Sequence, residues 1–267
     1  MLKKFHKYQG AGNDFVMVNN YNETNAKLDN EEIATICHRR FGIGADGLII
    51  ISKSQSYDFT MTYYNSDGFE GTMCGNGGRC AVQFAYDLGI IKDKTIFEAI
   101  DGTHKAIVHG ENIISLMMSD VNEIKETNFG LFMDTGSPHV MIESKNLNSK
   151  NVFEEGKEIR HDSIFAPDGT NVNFFEIEGD SIHLRTFERG VEDETLACGT
   201  GSVATALAAY HLKKVTSKNN IHIKAQGGDL YISFEGELPF KNIWLKGPAV
   251  KVFDGYDFIK KKIFVYM

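Results

Sequence analysis

The sequence predicts an α+β protein with two pseudo-symmetric domains. The first observation behind this prediction is that the chain resembles itself when it is shifted by 124 residues without a gap. The second is that short runs of alternating apolar and polar residues, typical of strands, recur along the chain, while one main helix is indicated in each half. We therefore expect two domains of similar plan.

The self-similarity has landmarks at both ends of the repeated segment. The residues that coincide are Gly12, Val16 and Met17 with Gly136, Val140 and Met141; Cys74-Gly75-Asn76-Gly77 with Cys198-Gly199-Thr200-Gly201; and Ala85, Tyr86 and Leu88 with Ala209, Tyr210 and Leu212. Because one constant offset joins all three sets, we interpret the similarity as an internal duplication.

The local patterns place similar elements in the two halves. Strands are predicted at Phe15–Val18, Leu48–Ile51, Phe59–Tyr64, Ile96–Ala99, Lys105–Val108, Ile113–Met118, His139–Ile142, Val172–Ile177, Ser181–Phe187, Ile221–Lys224, Leu230–Phe234, Ile243–Leu245 and Val250–Phe253. The main helices are predicted at Arg79–Leu88 and from Val203 to Leu212, and another runs from Glu31 to about Arg40 with Asp29 or Asn30 as its N-cap. Polar loops precede both main helices, and the junction between the halves is predicted within Leu116–Asn128.

The composition is that of a globular protein, with 42% hydrophobic and 24% charged residues in 267. The formal net charge of −8 disfavours a nucleic acid or an acidic membrane as the partner. The N-terminal sequence lacks the apolar core of a signal peptide, and no stretch reaches the length of a transmembrane helix, so we expect a cytoplasmic protein. Its four cysteines are then expected to be free thiols, with Cys37 and Cys80 in the core.

A cysteine followed by glycines stands at a loop–helix boundary in each half. The N–H groups and the dipole at a helix N-terminus lower the pKa of a thiol and bind carboxylates, and glycine lets the backbone approach a ligand. Two such thiols, Cys74 and Cys198, suit the inversion of a carbon, in which one group removes a proton and another delivers one from the opposite face. The helix N–H groups would also stabilise the enolate-like charge.

The two cysteines are also compatible with roles other than acid/base chemistry. Either cysteine alone is more often a small buried residue, and a disulfide between them is a poor default in a reducing compartment. Zinc is disfavoured because Cys74 and Cys80 lack the usual ligand spacing. The run Gly199–Ala204 matches a dinucleotide fingerprint in its letters, but it follows an acidic loop rather than a strand. We therefore expect no metal and no cofactor.

Several polar residues near these cysteines are further candidates. Arg189 suits bidentate binding of a second carboxylate, although Glu188 and Arg189 are equally typical of a solvated ion pair. His139 lies at a strand start and is suited to tuning a thiol, but a lone histidine is more often structural. Asn13 and Asn171 lie in glycine-containing loops and suit amide contacts to an amino acid, and each is also a common turn residue.

These residues occur within a longer series of motifs that together resemble the diaminopimelate epimerase family. The motifs are Gly10-Ala11-Gly12-Asn13-Asp14-Phe15, Gly42-Ile43-Gly44-Ala45-Asp46-Gly47, Asn65-Ser66-Asp67-Gly68, Met73-Cys74-Gly75-Asn76-Gly77-Gly78-Arg79-Cys80, Gly169-Thr170-Asn171-Val172-Asn173-Phe174, and Glu188-Arg189-Gly190 through Ala197-Cys198-Gly199-Thr200-Gly201. They run nearly from end to end in the family's order, which makes the resemblance specific.

The resemblance implies a reaction and a set of site residues. It implies cofactor-independent epimerisation of LL- to meso-diaminopimelate, for lysine and peptidoglycan precursors, with Cys74 and Cys198 as the two thiols and His139 and Glu188 as modulating residues. The substrate-binding residues that it implies are Asn13, Asn65, Gly75, Asn76, Asn171, Glu188, Arg189, Gly199 and Thr200. Some relatives in the family carry glutamine where this chain has Gly47, and many carry asparagine where it has Ser137.

The resemblance also implies an architecture. Each domain is expected to be a curved, mostly antiparallel sheet or barrel wrapped around a central helix. The N-terminal domain is expected to comprise residues 1–117 and 256–267, because the last strand, Tyr256–Met267, returns to it. The C-terminal domain is expected to comprise residues 118–255. A homodimer is expected.

Two other functions remain possible on the sequence. One is a racemase or epimerase of another amino acid, such as proline or hydroxyproline, on the same fold; its site would be smaller and more apolar. The other is a binding or redox protein that uses the cysteine pair as a switch, which gives no role to Arg189 or the asparagines.

Overall fold

The fold is that of a computed structural model, which describes residues 2–22 and 27–258. The described residues form two compact units. Residues 2–10, 14–22, 27–108 and 249–258 belong to the first unit, and residues 11–13 and 109–248 belong to the second. The prediction of two α+β domains is confirmed.

Among the described residues, each unit is dominated by strands and contains two α-helices. In chain order the elements are β1 (Leu2–Gly10), β2 (Asn13–Asn20), α1 (Asn30–Cys37), β3 (Gly47–Ser52), β4 (Phe59–Asn65), β5 (Glu70–Gly71), α2 (Gly75–Asp87), β6 (Lys94–Ala99), β7 (Gly102–Val108), β8 (Ile113–Met117), β9 (Lys125–Glu126), β10 (Leu131–Asp134), β11 (Pro138–Glu143), α3 (Val152–Arg160), β12 (Asn171–Glu178), β13 (Ser181–Glu188), β14 (Asp193–Thr195), α4 (Gly199–His211), β15 (Ile221–Ala225), β16 (Gly228–Glu235), β17 (Lys241–Pro248) and β18 (Val250–Phe258). Two short 3-10 helices lie at Leu147–Ser149 and Ser163–Phe165.

The two units repeat one order of strand pairings. In the first unit β2 is parallel to β3, β3 antiparallel to β4, β4 parallel to β6, and β6 antiparallel to β7. In the second unit β11 is parallel to β12, β12 antiparallel to β13, β13 parallel to β15, and β15 antiparallel to β16. The internal duplication in the sequence is therefore a duplication of topology.

The main helices are equivalent as well. Helices α2 and α4 have 13 residues each, and Gly199 and His211 stand 124 positions after Gly75 and Asp87. Helix α2 packs against β1, β3, β4, β7 and β18, whereas α4 packs against β10–β13 and β15–β17. Nearly every residue of both helices is buried, as expected for helices at the centre of their units.

The unit boundaries differ from the predicted domain limits of 117/118 and 255/256. The first unit ends at Val108, because β8 pairs with β17 and so joins the second unit. The first unit resumes at Ala249, because the whole of β18 pairs with β1. The predicted return strand, Tyr256–Met267, is thus described only as far as Phe258; its remainder lies outside the described residues.

Some element boundaries differ from those predicted, for identifiable reasons. Helices α2 and α4 begin four residues before the predicted starts at Arg79 and Val203, because burial stabilises glycine-rich turns that have low helix propensity. Helix α1 ends at Cys37, before the predicted Arg40. Of the two predicted caps, Asp29 and Asn30, it is Asp29 that caps the helix, within a capping box with Glu32.

Helix α3 and the strands β1, β5, β9, β10 and β14 were not predicted. Helix α3 contains Gly156, which interrupts the helical pattern. A Cβ at Gly156 would collide with the Cβ of Phe187. The glycine therefore lowers the helix propensity of α3 but allows the helix to pack closely on β13. The polar loop predicted before the second main helix contains β14, which forms a hairpin with β13.

A cluster of charged side chains ties together three segments of the first unit. The Asp14 carboxylate accepts from Lys7 Nζ at 2.6 Å and from Arg39 Nη2 at 2.7 Å. Arg39 also bridges to Asp46 at 2.5 Å, and Lys7, itself buried, bonds to the carbonyl of Gly44. Burial raises the pKa of Asp14, but the hydrogen bonds from Arg39 and Lys7 outweigh it and hold the pKa at about 2.

The Asp14→Asn substitution is expected to destabilise the fold by about 2 kcal/mol at pH 7, because it removes the charge that pairs with buried Lys7. The pKa of Asp14 is lower in the folded than in the unfolded chain, so its contribution is complete above about pH 4 and is lost as the pH falls towards 2. Urea unfolding at pH 7 and pH 3 is expected to show the difference between variant and parent roughly halved at pH 3. Asp93→Asn, at an exposed aspartate of the same unit, is the control. An equal loss at both pH values would contradict the prediction.

Candidate functional site

The first predicted thiol is the N-cap residue of α2. Cys74 is half-buried and extended, with φ −92° and ψ 134°, and its carbonyl accepts the first helical hydrogen bond, from Gly78 N at 2.7 Å. The first N–H groups of a helix have no carbonyl partner within it, so they suit an anion at this end. Arg79, fully buried one turn later, donates to the Gly75 carbonyl at 3.2 Å and to Asn76 Oδ1 at 2.9 Å.

The second predicted thiol is the N-cap residue of α4 and has the same backbone conformation. Cys198 has φ −109° and ψ 116° and is 6% exposed. Its carbonyl accepts from Ser202 N at 2.9 Å and from Ser202 Oγ at 2.8 Å. In neither cysteine does the sulfur cap the helix. The structure therefore gives both thiols the helix-start position that the sequence predicted.

A buried polar network surrounds Cys198. Its Sγ lies 3.5 Å from Thr200 Oγ1, which lies 2.9 Å from His139 Nε2. On the other side of the ring, His139 Nδ1 lies 3.0 Å from Asn173 Nδ2. Thr186 Oγ1 donates to Asn173 Oδ1 at 3.0 Å. His139 is thus connected to the Cys198 thiol through Thr200 and not by direct contact.

The electrostatic surroundings keep His139 neutral. The ring is fully buried, and burial together with the positive charge of Arg189 lowers the pKa of His139 to about 3. Neutral imidazole has one N–H donor and one acceptor nitrogen. The uncharged His139 ring can therefore accept a hydrogen bond at one nitrogen and donate one at the other.

Asn171 braces the strand ends beside this network. Its Nδ2 donates to Ser137 Oγ and to the Pro138 carbonyl, both at 2.8 Å, and its Oδ1 accepts from Arg189 N at 2.9 Å. The side chain therefore fixes the start of the turn that carries Arg189. The serine found at position 137 has a definite role here as the acceptor for Asn171.

Glu188 and Arg189 lie at the turn of the β13–β14 hairpin. Both side chains are half-buried, and Glu188 Oε2 accepts from Thr195 Oγ1 at 2.8 Å. The carboxylate is thus held by the opposite strand of the hairpin and is more than a solvated surface group. The hairpin brings Glu188 and Arg189 into the unit that holds Cys198.

The remaining predicted residues divide between the units. Asn65, Gly75 and Asn76 lie in the first unit with Cys74, whereas Asn13, His139, Asn171, Glu188, Arg189, Gly199 and Thr200 lie in the second with Cys198. Asn76 is buried and Asn65 is exposed at the end of β4. Asn13 follows Gly12, which has φ +86°. A Cβ added at Gly12 would lie only 2.8 Å from Leu196 Cδ1. Gly47 has no room for a side chain, since a Cβ would lie 2.6 Å from Tyr64 O.

The other two cysteines are core residues, as predicted. Cys37 and Cys80 are buried, and burial raises the pKa of each thiol to about 12. All four cysteines lie among the described residues, and none of them forms a disulfide. Within residues 2–22 and 27–258, no group of three or more His, Cys, Asp or Glu side chains is arranged to hold a metal ion. In the same ranges no helix combines the length and apolar character needed to span a membrane.

Two residues of the network, Asn173 and Thr186, were not singled out by the sequence. Asn173 stands two positions after Asn171 in β12, so both side chains lie on one face of the strand. That spacing is visible in the sequence. What joins Asn173 to His139 is the parallel pairing of β11 with β12, in which His139 is opposite Asn171 and Met141 opposite Asn173.

The chain is similar to known proteins over most of its length. The family model described as diaminopimelate epimerase matches residues 5–124 and again residues 131–252. A diaminopimelate epimerase from Flavobacterium psychrophilum is 50% identical over 94% of this chain and 98% of its own length. One from Chlorobaculum tepidum is 46% identical over 92% of this chain and 98% of its own.

Solved structures with low sequence identity share the fold. A phenazine biosynthesis protein of the PhzF family from Bacillus anthracis superposes with a TM-score of 0.75 at 17% identity, over 96% of this chain and 99% of that one. A hydroxyproline epimerase from Agrobacterium vitis gives a TM-score of 0.66 at 13% identity, over 95% and 91%. At these identities the likeness concerns the fold alone.

Alkylation of the native protein with iodoacetamide at pH 8 is expected to separate the four thiols. Cys37 and Cys80 should react at least about a hundredfold more slowly than Cys74, because they are buried and their pKa values are raised to about 12. Peptide mapping by mass spectrometry measures each site, and labelling of all four thiols in urea is the control. Modification of native Cys80 as fast as Cys74 would contradict the assignment of Cys80 to the core.

Proposed function

The chain belongs to the diaminopimelate epimerase family, and from this we propose which residues carry out its reaction. It is an isomerase that converts LL-2,6-diaminopimelate to meso-2,6-diaminopimelate by inverting one α-carbon. One observation carries the residue assignment: Cys74 and Cys198 occupy the same N-cap position of two equivalent buried helices. We propose that these are the two acid/base groups.

The proposed reaction moves one proton off the α-carbon and another onto its opposite face. The thiolate of one cysteine takes the α-proton, and the electron pair of the C–H bond delocalises into the carboxylate as an enolate-like anion. The thiol of the other cysteine then donates its proton to the carbon, which leaves that second sulfur as a thiolate. The roles are exchanged in the reverse direction, so Cys74 and Cys198 each act as acid in one direction and as base in the other.

The helix starts are proposed to stabilise the charge that develops. The backbone N–H groups of Gly75 and Asn76 in α2, and of Gly199 and Thr200 in α4, belong to first helical turns, where donors point out of the helix end. They are suited to the reacting α-carboxylate, whose negative charge grows on deprotonation. Carboxylate binding at helix N-termini therefore supports both substrate binding and acidification of the α-proton.

The non-reacting end of the substrate is proposed to be held by polar side chains. Arg189 supplies a planar guanidinium for a second carboxylate. The residues proposed to join it are Asn13, Asn65, Asn76, Asn171 and Glu188. The braced β13–β14 hairpin supports this role for Arg189, because Asn171 Oδ1 holds its backbone N–H. We propose His139 and Glu188 as residues that adjust the thiols and the reacting amino group.

Two coarser features are also proposed. A cytoplasmic location, where the product would serve lysine and peptidoglycan precursors, suits an enzyme whose thiols must stay reduced. A homodimer is supported by β18, where Val252, Phe253 and Tyr256 are 56%, 46% and 67% exposed. Exposed apolar side chains grouped on one strand are typical of an association surface.

Cys74→Ala and Cys198→Ala are each expected to lower the epimerisation rate of LL-diaminopimelate by at least about a thousandfold, because each removes one of two obligatory proton-transfer groups. Chiral chromatography of the products measures the rate with reduced protein and no added cofactor. Cys80→Ala, which removes a buried thiol of the same α2 helix, should stay within about threefold of the parent.

The same assay decides the substrate. We expect the protein to epimerise LL-diaminopimelate and to leave proline and hydroxyproline unchanged. The reason is that the polar side chains proposed for the non-reacting end of the substrate suit a second amino-acid group. Folded, reduced protein that inverts hydroxyproline and leaves diaminopimelate unchanged would overturn the substrate assignment. Full activity in either catalytic-cysteine variant would overturn the two-thiol assignment.

A further inference from the structure

The buried network beside Cys198 has a fixed direction of proton donation, and Asn173 sets it. One amide hydrogen of Asn173 Nδ2 is directed at the Val140 carbonyl oxygen, 3.2 Å away. A carbonyl oxygen only accepts, so the nitrogen and not the oxygen of the amide must face it. The amide oxygen on the other side accepts from the Thr186 hydroxyl. Both ends of the Asn173 amide are thereby assigned.

This orientation fixes the tautomer of His139. The second hydrogen of Asn173 Nδ2 points at His139 Nδ1, 3.0 Å away, so Nδ1 must be the acceptor nitrogen of the ring. A neutral imidazole that accepts at Nδ1 has its proton on Nε2. His139 is therefore the Nε2–H tautomer.

The direction continues from His139 to the sulfur. Nε2–H donates to Thr200 Oγ1 at 2.9 Å, which uses an acceptor position of the hydroxyl and leaves the hydroxyl proton to be donated elsewhere. Cys198 Sγ lies 3.5 Å from the same oxygen, within hydrogen-bonding distance for sulfur. The Thr200 hydroxyl proton is therefore available to Cys198 Sγ, and a bond donated to that sulfur favours the thiolate over the thiol.

The first unit shows that the fold itself does not require this network. At the shift of 124 residues, the positions of His139 and Asn173 correspond to Phe15 and Ile49, both buried in apolar surroundings. The equivalence also holds in three dimensions. A Cβ at Gly77 would lie 3.2 Å from Ile49 Cδ1 and 3.5 Å from Phe15 Cζ. A Cβ at Gly201, the counterpart of Gly77, would meet Asn173 Oδ1 and lie 3.3 Å from His139 Cε1.

The same helix thus packs on two apolar residues in one unit and on two polar residues in the other. Burying polar groups is costly unless every one of them is hydrogen-bonded, so a polar replacement in an otherwise apolar packing site calls for a function. The distinguishing feature of the second unit is that its polar pair leads to a thiol through Thr200.

We propose that Asn173 is a positioning residue for the reaction: it holds His139 in the Nε2–H tautomer, which makes the Thr200 hydroxyl a hydrogen-bond donor to Cys198 and stabilises its thiolate. The functional meaning of this rests on the proposed role of Cys198 as an acid/base group. The two thiols then differ in their surroundings, and the network acts on Cys198.

The tautomer is tested directly in the unmodified protein by 15N NMR of its histidine side chains, with the His139 signals identified by their loss in His139→Gln. Between pH 5 and pH 8 the Nε2 signal should be that of a protonated nitrogen and the Nδ1 signal that of an unprotonated one. A protonated Nδ1 would overturn the proposal. This measurement uses no substrate, so it stands or falls separately from the proposed function.

The connection to the sulfur is tested by the pH dependence of Cys198 alkylation in a Cys74→Ala background. Thr200→Val should raise the pKa of Cys198 by one unit or more, seen as an alkylation rate about tenfold lower at pH 7, whereas Thr200→Ser should retain the parent profile. Asn173→Leu should behave as Thr200→Val does. Thr186→Val removes the other bond to Asn173 and should leave the tautomer unchanged. Parent profiles in both Thr200→Val and Asn173→Leu would overturn the proposal, and if Asn173→Leu does not fold, the Thr200 pair and the NMR measurement decide.

Discussion

The rest of the structure depends on one backbone constraint, which occurs once in each unit. An extended cysteine becomes the N-cap of a buried helix, and the glycine after it begins the first turn. This arrangement places a thiol beside the outward-pointing N–H groups of the helix start. The pairing of the surrounding strands, the central position of each helix and the loops before the cysteines all serve to present that helix end. Because the constraint is met twice, the chain has two thiols in equivalent backbone positions.

The glycines after the cysteines follow from close packing. Gly77 and Gly201 lie where a helix contacts a buried strand pair, and a Cβ at either position would press on that pair. Because each helix lies close to its strand pair at this glycine, the two strand residues beneath the glycine can differ between the units. Phe15 and Ile49 fill them as ordinary core, whereas His139 and Asn173 fill them as a hydrogen-bonded chain. The two units therefore have the same backbone arrangement at this position but differ in the chemistry of the side chains packed there.

Much of this could be predicted from local sequence. Strands such as β4 and β13 alternate in polarity, and the repeat at 124 residues indicates the two cysteine–glycine motifs at loop–helix boundaries, although the helices begin four residues earlier than predicted. The capping box at Asp29 and Glu32 is likewise a local signal. Features that depend on residues within three or four positions of each other could therefore be predicted from the sequence.

The features that were missed depend on partners distant in sequence. Strand β1 carries several lysines and lacks the pattern of a buried strand, yet Lys7 is buried because Asp14 and the Gly44 carbonyl receive its ammonium group. Helix α3 depends on the contact of Gly156 with Phe187. Asn173 acquires its partners His139 and Val140 from the parallel pairing of β11 and β12, which no local pattern encodes.

The most direct measurement of the central claim is the position of deuterium early in the reaction of LL-diaminopimelate in D2O with the reduced protein. Two thiols on opposite faces predict that the meso product carries deuterium at the inverted carbon, while the LL isomer recovered at low conversion stays unlabelled. The thiol that removes the proton can only return that proton, and the thiol that donates has exchanged with solvent. Meso product that retains the substrate proton, or deuterium entering the recovered LL isomer as fast as the product, would indicate a single acid/base group and contradict the two-thiol reaction.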